Sequence, residues 1–417
     1  MSGQSSTQVR GQPEDIYLGY IRLPTKGNAS GGSTLTVDQK IRAQFRSTLG
    51  NFTLDTSFEA PITGVTALFG PSGCGKTVVL RCVAGLIRVR DGYFNIGGEL
   101  WQDRDEIFIP TYRRPLGYVL QEASLFPHLS VRRNLLFGAP RQRLADRPTI
   151  EFDEVVDLLG IRALPDRSPR NLSGGERQRV GMGRALLTQP KVLLMDEPLS
   201  ALDRKTKGEI LPFIEKLRDH FSLPIFYVTH DMAEIERLTD HMVLLEKGHV
   251  VASAALSDLQ SDPSSPLAAS REAAVTLKGM VEASDPKFGV ANVSIPGGML
   301  IAPQPQPPAD AGGGLRRIRI LASDVSLARE KPSRSSILNT LPVRIVAMKP
   351  LDSCEVLVVV ALGENGNGAR LLSRITQKSW AELGLAEGQS VYAQVKYVSL
   401  NPGRGEPGES GAVTSSQ

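Results

Sequence analysis

Gly70, Pro71, Ser72, Gly73, Cys74, Gly75, Lys76 and Thr77 read GPSGCGKT, the composition of a loop that holds phosphate. Glycines at this spacing let successive backbone N–H groups curl round an anion. The Lys76 ammonium can reach β- and γ-phosphates, and the Thr77 hydroxyl can ligate Mg2+. A second stretch, KVLLMDEP, supplies the complement. Its apolar residues deliver Asp196 to the end of a strand, where the carboxylate can hold Mg2+ through water. Glu197 beside it can orient and deprotonate an attacking water. Two adjacent carboxylates alone would be a solvated loop; with a phosphate loop they describe phosphoryl transfer. A third stretch, NLSGGERQRVGMGRALL from Asn171, sets two glycines at the mouth of an Arg-rich helical run. Glycine is costly inside a helix, so bare backbone here serves either a plain turn or close approach to an anion.

The elements that must carry these residues are legible around them. The apolar strand VTALF precedes the phosphate loop and helical sequence follows it. VLLMDE and PIFYVTH are apolar strands ending in polar residues, each preceded by helical sequence. That alternation predicts a parallel sheet covered by helices. Short strands IRAQFR and FTLDTSFEA come before it. After about Ser270 the composition turns β-rich, with RRIRILASDVSLA, LPVRIVAMK, CEVLVVVAL, ARLLSRIT and SVYAQVKYVSL. These predict a small all-β barrel, interrupted by the Pro/Gly loop PQPQPPADAGGG. Arg316, Arg317 and Arg319 read as a solvated strand edge.

Bulk properties narrow the class. The chain has 417 residues, 41% hydrophobic and 22% charged, which suits a globular protein of two or three domains. A net charge of +4 gives no independent argument for nucleic acid or an anionic membrane. Cys74, Cys82 and Cys354 lack metal-ligand spacing, so a reducing compartment without disulfides is expected. No apolar run approaches the roughly 20 residues that span a bilayer; VLVVVAL reads as a buried strand. The first residues lack the apolar core of a signal peptide. The expectation is a cytosolic chain that reaches any membrane through a partner.

Taken in order, the phosphate loop, Gln121 in VLQEASLFPH, LSGGERQ, Asp196-Glu197, SALD and His230 in VTHD resemble the ATPase subunits of ABC transporters. The resemblance covers about residues 41–259. It implies an α/β fold: an ABC ATPase domain with a mixed sheet and helical subdomain, followed by a small all-β OB-like barrel. It further implies that Ser173, Gly174 and Gly175 face the γ-phosphate bound by the opposite subunit, with Asp203 at the dimer seam. Gln121 would sense the γ-phosphate and Mg2+, and His230 would contact the γ-phosphate and hold Glu197. The implied cofactors are ATP and Mg2+. The implied partners are a second copy, two permease subunits at the inner membrane and, indirectly, a periplasmic molybdate-binding protein, without nucleic acid. The family stacks an aromatic on adenine upstream of the loop; here the stretch FRSTLGNFTL has no Tyr or Trp, and its Phe52 reads as a core strand residue.

The C-terminal sequence resembles the molybdate-binding-like domain of molybdate-importer ATPases. Domains are therefore expected at residues 1–38 (flexible extension), 39–270 (ATPase) and 271–400 (barrel, with the molybdate-binding-like half at 336–400). A disordered tail is expected at residues 401–417. The implied function is ATP hydrolysis that drives molybdate, and with it tungstate, import by dimer closure. Ser336, Asn339 and Lys396 are the candidate oxyanion site, with Leu338 where the pattern has Arg. Alternatives are the ATPase of a sulfate, iron, sugar or polyamine importer, or a cytosolic molybdate sensor or store. An intact hydrolysis set argues against a store. A soluble ABC ATPase of DNA repair or translation is disfavoured by the barrel and the single cassette.

Overall fold

The computed structural model describes residues 40–140, 149–304 and 314–400, all within one compact unit. The expected extension at residues 1–38, the tail at residues 401–417 and most of the Pro/Gly loop lie outside the described residues.

Alternating burial sets the first pair of strands. β1 (Lys40–Leu49) buries Ile41, Ala43 and Phe45, and β2 (Phe52–Pro61) buries Leu54, Phe58 and Ala60. They pair antiparallel, each giving alternate side chains to the core. β3 (Gly64–Phe69) runs straight into the phosphate loop and α1 (Lys76–Ala84). β4 (Asp91–Ile96), β5 (Glu99–Asp103) and β6 (Ile107–Phe108) extend the antiparallel layer. β7 (Leu116–Val119), β8 (Val192–Asp196) and β9 (Pro224–Val228) run parallel beside β3. β8 and β9 are buried at every position, as strands covered on both faces must be. β10 (His241–Glu246) and β11 (His249–Ala255) complete one mixed sheet of eleven strands, ordered β6-β5-β4-β1-β2-β11-β10-β3-β9-β8-β7.

The helices fall in two groups. α2 (Val131–Leu135), α3 (Phe152–Leu158) and α4 (Gly174–Leu187) form the helical subdomain, joined by Val131, Leu135, Val155, Leu159 and Val180. α5 (Arg204–His220) and α6 (Met232–Leu238) follow β8 and β9 respectively. The loops leaving β3, β8 and β9 therefore emerge at one end of a parallel set, where α/β sheets bind ligands.

α7 (Leu256–Ser261) and α8 (Pro266–Ala269) lead into the β-rich part. β12 (Ala274–Asp285), β13 (Val290–Ile295), β14 (Gly298–Pro303) and β15 (Leu315–Leu321) join a late strand in one five-stranded sheet. β16 (Val325–Ala328), β17 (Asn339–Pro350), β18 (Glu355–Leu362), β19 (Arg370–Thr376) and β20 (Ser390–Val395) form a second, and α9 (Gln377–Glu382) follows β19. The late strand of the first sheet is β21 (Ser399–Leu400). Both sheets share one core, including Val293, Leu300, Ile318, Val343, Val358 and Val395. The all-β expectation holds, drawn as two curled sheets on a common interior.

One expectation needs correction. β15 is not an edge, because it lies between β12 and β21. Only 11% of the Arg317 side chain is exposed; its guanidinium donates to Asp240 at 2.6 Å. Arg319 donates to Glu236 at 2.6 Å. These arginines join the barrel to the ATPase part instead of facing solvent.

Candidate functional site

Backbone conformation explains the glycines of the phosphate loop. Gly70 has φ 155°, and a Cβ there would lie 2.1 Å from the Leu245 carbonyl oxygen. Gly75 has φ 104°, and its Cβ would strike the Phe52 ring at 2.7 Å. Neither place tolerates a side chain. Phe52 is half-buried against the loop, so it contacts the site as well as the core.

Lys76 is buried, with its ammonium donating to the Gly70 and Pro71 carbonyls at 2.9 Å each. The charge is thus held inside the loop, where a phosphate would meet it. The Thr77 hydroxyl donates to Asp196 Oδ1 at 2.9 Å. Tyr118 donates its hydroxyl to Asp196 Oδ2 at 3.2 Å. Burial, then the Asp196 charge, push the Tyr118 phenol well above its ordinary range, so Tyr118 stays a donor to that carboxylate. A hydroxyl and a carboxylate in contact are hard oxygen ligands of the kind Mg2+ takes alongside phosphate and water, so the residues present fit that ion.

Glu197 has φ 45°, a left-handed conformation uncommon for a residue with a side chain. It is over-determined by its neighbours: its N–H donates to Val228 O at 3.0 Å. Its carbonyl accepts from Ser200 Oγ at 2.9 Å. The turn aims the carboxylate towards His230, whose Nδ1 lies 3.5 Å from Glu197 Oε2. Gln121 lies two residues beyond β7, at the same sheet end as Asp196. Its side chain is exposed and makes no hydrogen bond among the described residues.

Ser173, Gly174 and Gly175 are placed elsewhere. Ser173 caps α4 in a reciprocal capping box: its Oγ accepts from Glu176 N at 3.2 Å, and its own N–H donates to Glu176 Oε2 at 2.7 Å. A Cβ on Gly174 would lie 3.1 Å from Leu202, and one on Gly175 would lie 2.9 Å from Thr206. Close packing of α4 on α5 is thus one reason for the glycines. Asp203 caps α5, accepting from Thr206 N at 3.0 Å and Thr206 Oγ1 at 2.7 Å. Those bonds hold its carboxyl below the usual range. Among the described residues no hydrogen bond or ion pair joins residues 173–175 to residues 70–77.

The three candidate oxyanion residues are differently engaged. The Asn339 amide is clasped to the Ile301 backbone, accepting at 2.7 Å and donating at 2.9 Å. Asn339 therefore stitches β17 to β14. Ser336 and the Lys396 side chain are exposed.

Sequence reasoning passed over Tyr118 and the knot around His230. Glu234 is buried and accepts from Tyr227 Oη at 2.8 Å, Thr229 Oγ1 at 2.9 Å and Lys207 Nζ at 2.9 Å. Parallel register of β7 with β8, Tyr118 opposite Leu194, is the signal that would have found Tyr118. A helix-spaced glutamate after VTHD could have pointed to Glu234.

Residues 54–200 match the ABC transporter family and residues 335–401 match the TOBE domain. A molybdenum import ATP-binding protein ModC of Rhodopseudomonas palustris (strain BisB18) is 60% identical over 368 residues. That alignment covers 88% of this chain and 96% of the relative. The protein of the same name from Rhodobacter capsulatus is 47% identical over 361 residues, covering 87% and 98% respectively. Among solved structures, a dimeric ATP-binding cassette bound to ADP and Pi is 24% identical with a TM-score of 0.42. It matches 52% of this chain and 98% of its own.

Proposed function

This chain belongs to the molybdenum import ATP-binding protein (ModC) family of ABC transporters, and we propose that it is the ATP-hydrolysing subunit of a molybdate importer. The observation that carries a hydrolytic role is the convergence of Thr77, Asp196, Glu197 and His230 at the mouth of the phosphate loop. Tungstate, nearly isosteric with molybdate, would be carried with it.

Residues 70–75 wrap the β- and γ-phosphates with backbone N–H groups, and the start of α1 adds partial positive charge. Lys76 exchanges its carbonyl partners for phosphate oxygens. Thr77 and Asp196 would hold Mg2+, with Gln121 near them at the end of β7, and the ion would supply neutralisation of charge developing on the phosphates. Glu197 accepts the proton of the attacking water, and His230 holds Glu197 and meets the γ-phosphate. Catalysis is chiefly positioning and charge neutralisation.

The clamp comes from a second copy. Ser173, Gly174 and Gly175 of one chain close on the γ-phosphate held by the other, with Asp203 beside the seam. Closure and reopening are passed to a permease through the surface near Gln121 and α2, which places the chain at the cytoplasmic face of the inner membrane. Among the described residues no helix is long and apolar enough to cross a membrane, in keeping with attachment through a partner. Because the Asn339 amide is committed to Ile301, we assign the barrel a structural role.

Cargo is tested in vesicles holding the chain with its permease and the periplasmic binding protein. Molybdate and tungstate should each raise ATP turnover, and sulfate should not. Equal stimulation by sulfate would refute the cargo assignment.

A further inference from the structure

The His230 ring is exposed, and its ion-pair partner among the described residues is Glu197, 3.5 Å from Nδ1. Its place must therefore come from the backbone on either side. Thr229 donates to Glu234 at 2.9 Å and accepts the Asp231 N–H at 3.1 Å. Asp231 in turn caps α6 through Ala233 N at 3.0 Å. His230 is thus fastened between the end of β9 and the first turn of α6.

The far end of α6 is held by the barrel. Only 6% of the Glu236 side chain is exposed, and it accepts from Arg319 Nε on β15 at 2.6 Å. Gln260 also donates to it, at 3.2 Å, while accepting the Thr276 N–H of β12 at 2.7 Å. Arg317 donates to the Thr239 and Leu238 carbonyls that end α6, and to Asp240 at 2.6 Å. Cations at a helix C-terminus are favourable there.

Packing on one side of α6 is thin. A cleft of about 1130 Å3 runs from Ser72 and His230 past Glu236 to Arg319. The helix has seven residues, about 10 Å of length, so displacing one end displaces the other. With a cleft along one flank, the helix is held by Glu234 at its near end, by the Arg237–Glu215 pair to α5, and by the ion pairs with the barrel at its far end.

We propose that the barrel sets the position of His230 through α6, with Arg319 as the positioning residue. This rests on the reading that His230 meets the γ-phosphate. The barrel then tunes hydrolysis through this contact, and its displacement slackens the histidine. A buried glutamate whose cation is removed is costly to keep in place, so the effect should be large enough to read.

The test uses the full chain and its ATP turnover. Arg319→Gln should lower kcat about tenfold while leaving the affinity for a fluorescent ATP analogue unchanged. In a His230→Ala background the same substitution should cause no further loss. An unchanged kcat in Arg319→Gln overturns the proposal, and so does an equal further loss without His230. If Arg319→Gln also loses nucleotide affinity, the swapped pair Arg319→Glu with Glu236→Arg decides: restored turnover supports the link, and none overturns it. Full turnover in His230→Ala alone would instead sink the reading on which the proposal stands.

Discussion

Glu197→Gln should bind ATP as tightly as the parent chain, accumulate as an ATP-held dimer, and hydrolyse at least about a hundredfold more slowly. The amide keeps the shape of the carboxylate and its place beside His230, 3.5 Å away, but cannot accept the water's proton. The strained φ of 45° is a property of the turn, fixed by Val228 and Ser200, so the fold is indifferent to the exchange. Single-turnover hydrolysis with radiolabelled ATP separates binding from chemistry. Wild-type turnover in this variant would remove Glu197 from the role of base. Persistent binding with lost turnover is the expected signature of an interaction made in the transition state.

Lys76→Ala should act on the other quantity. Its ammonium supplies a charge held inside the loop by Gly70 O and Pro71 O, and ion-assisted bonds to phosphate are the stronger kind. Affinity for a fluorescent ATP analogue should fall about a hundredfold, with turnover falling alongside it. Affinity equal to that of the parent would show that the backbone N–H groups suffice. Glu197→Gln thus separates hydrolysis from binding, whereas Lys76→Ala lowers both.

Much of this site was legible because its residues act locally. The phosphate loop announces itself through glycines whose conformations no other residue adopts, and Asp196 through the apolar strand that ends on it. What escaped reading depends on register and on contacts distant in sequence. Tyr118 reaches Asp196 across 78 positions, and nothing near it in the chain marks it as a donor. Arg317 and Arg319 read as a solvated edge because alternation on β15 resembles one; their carboxylate partners lie 77 and 83 residues away. The glycines at 174 and 175 show the opposite ambiguity. Close packing on Leu202 and Thr206 and an anion clamp both ask for bare backbone, and one chain satisfies only the first. The all-β part was plain from composition, whereas its division into two sheets rests on distant strand pairings such as β17 with β20, Asn339 opposite Val395.

A site completed by a second copy makes hydrolysis a property of the pair of chains. Specific turnover should be measured over a dilution series, with mass followed by sedimentation at each point under saturating ATP. Turnover per chain should rise with the dimer fraction and vanish where only monomer remains. A rate per chain that stays constant into the monomeric range would contradict the shared site.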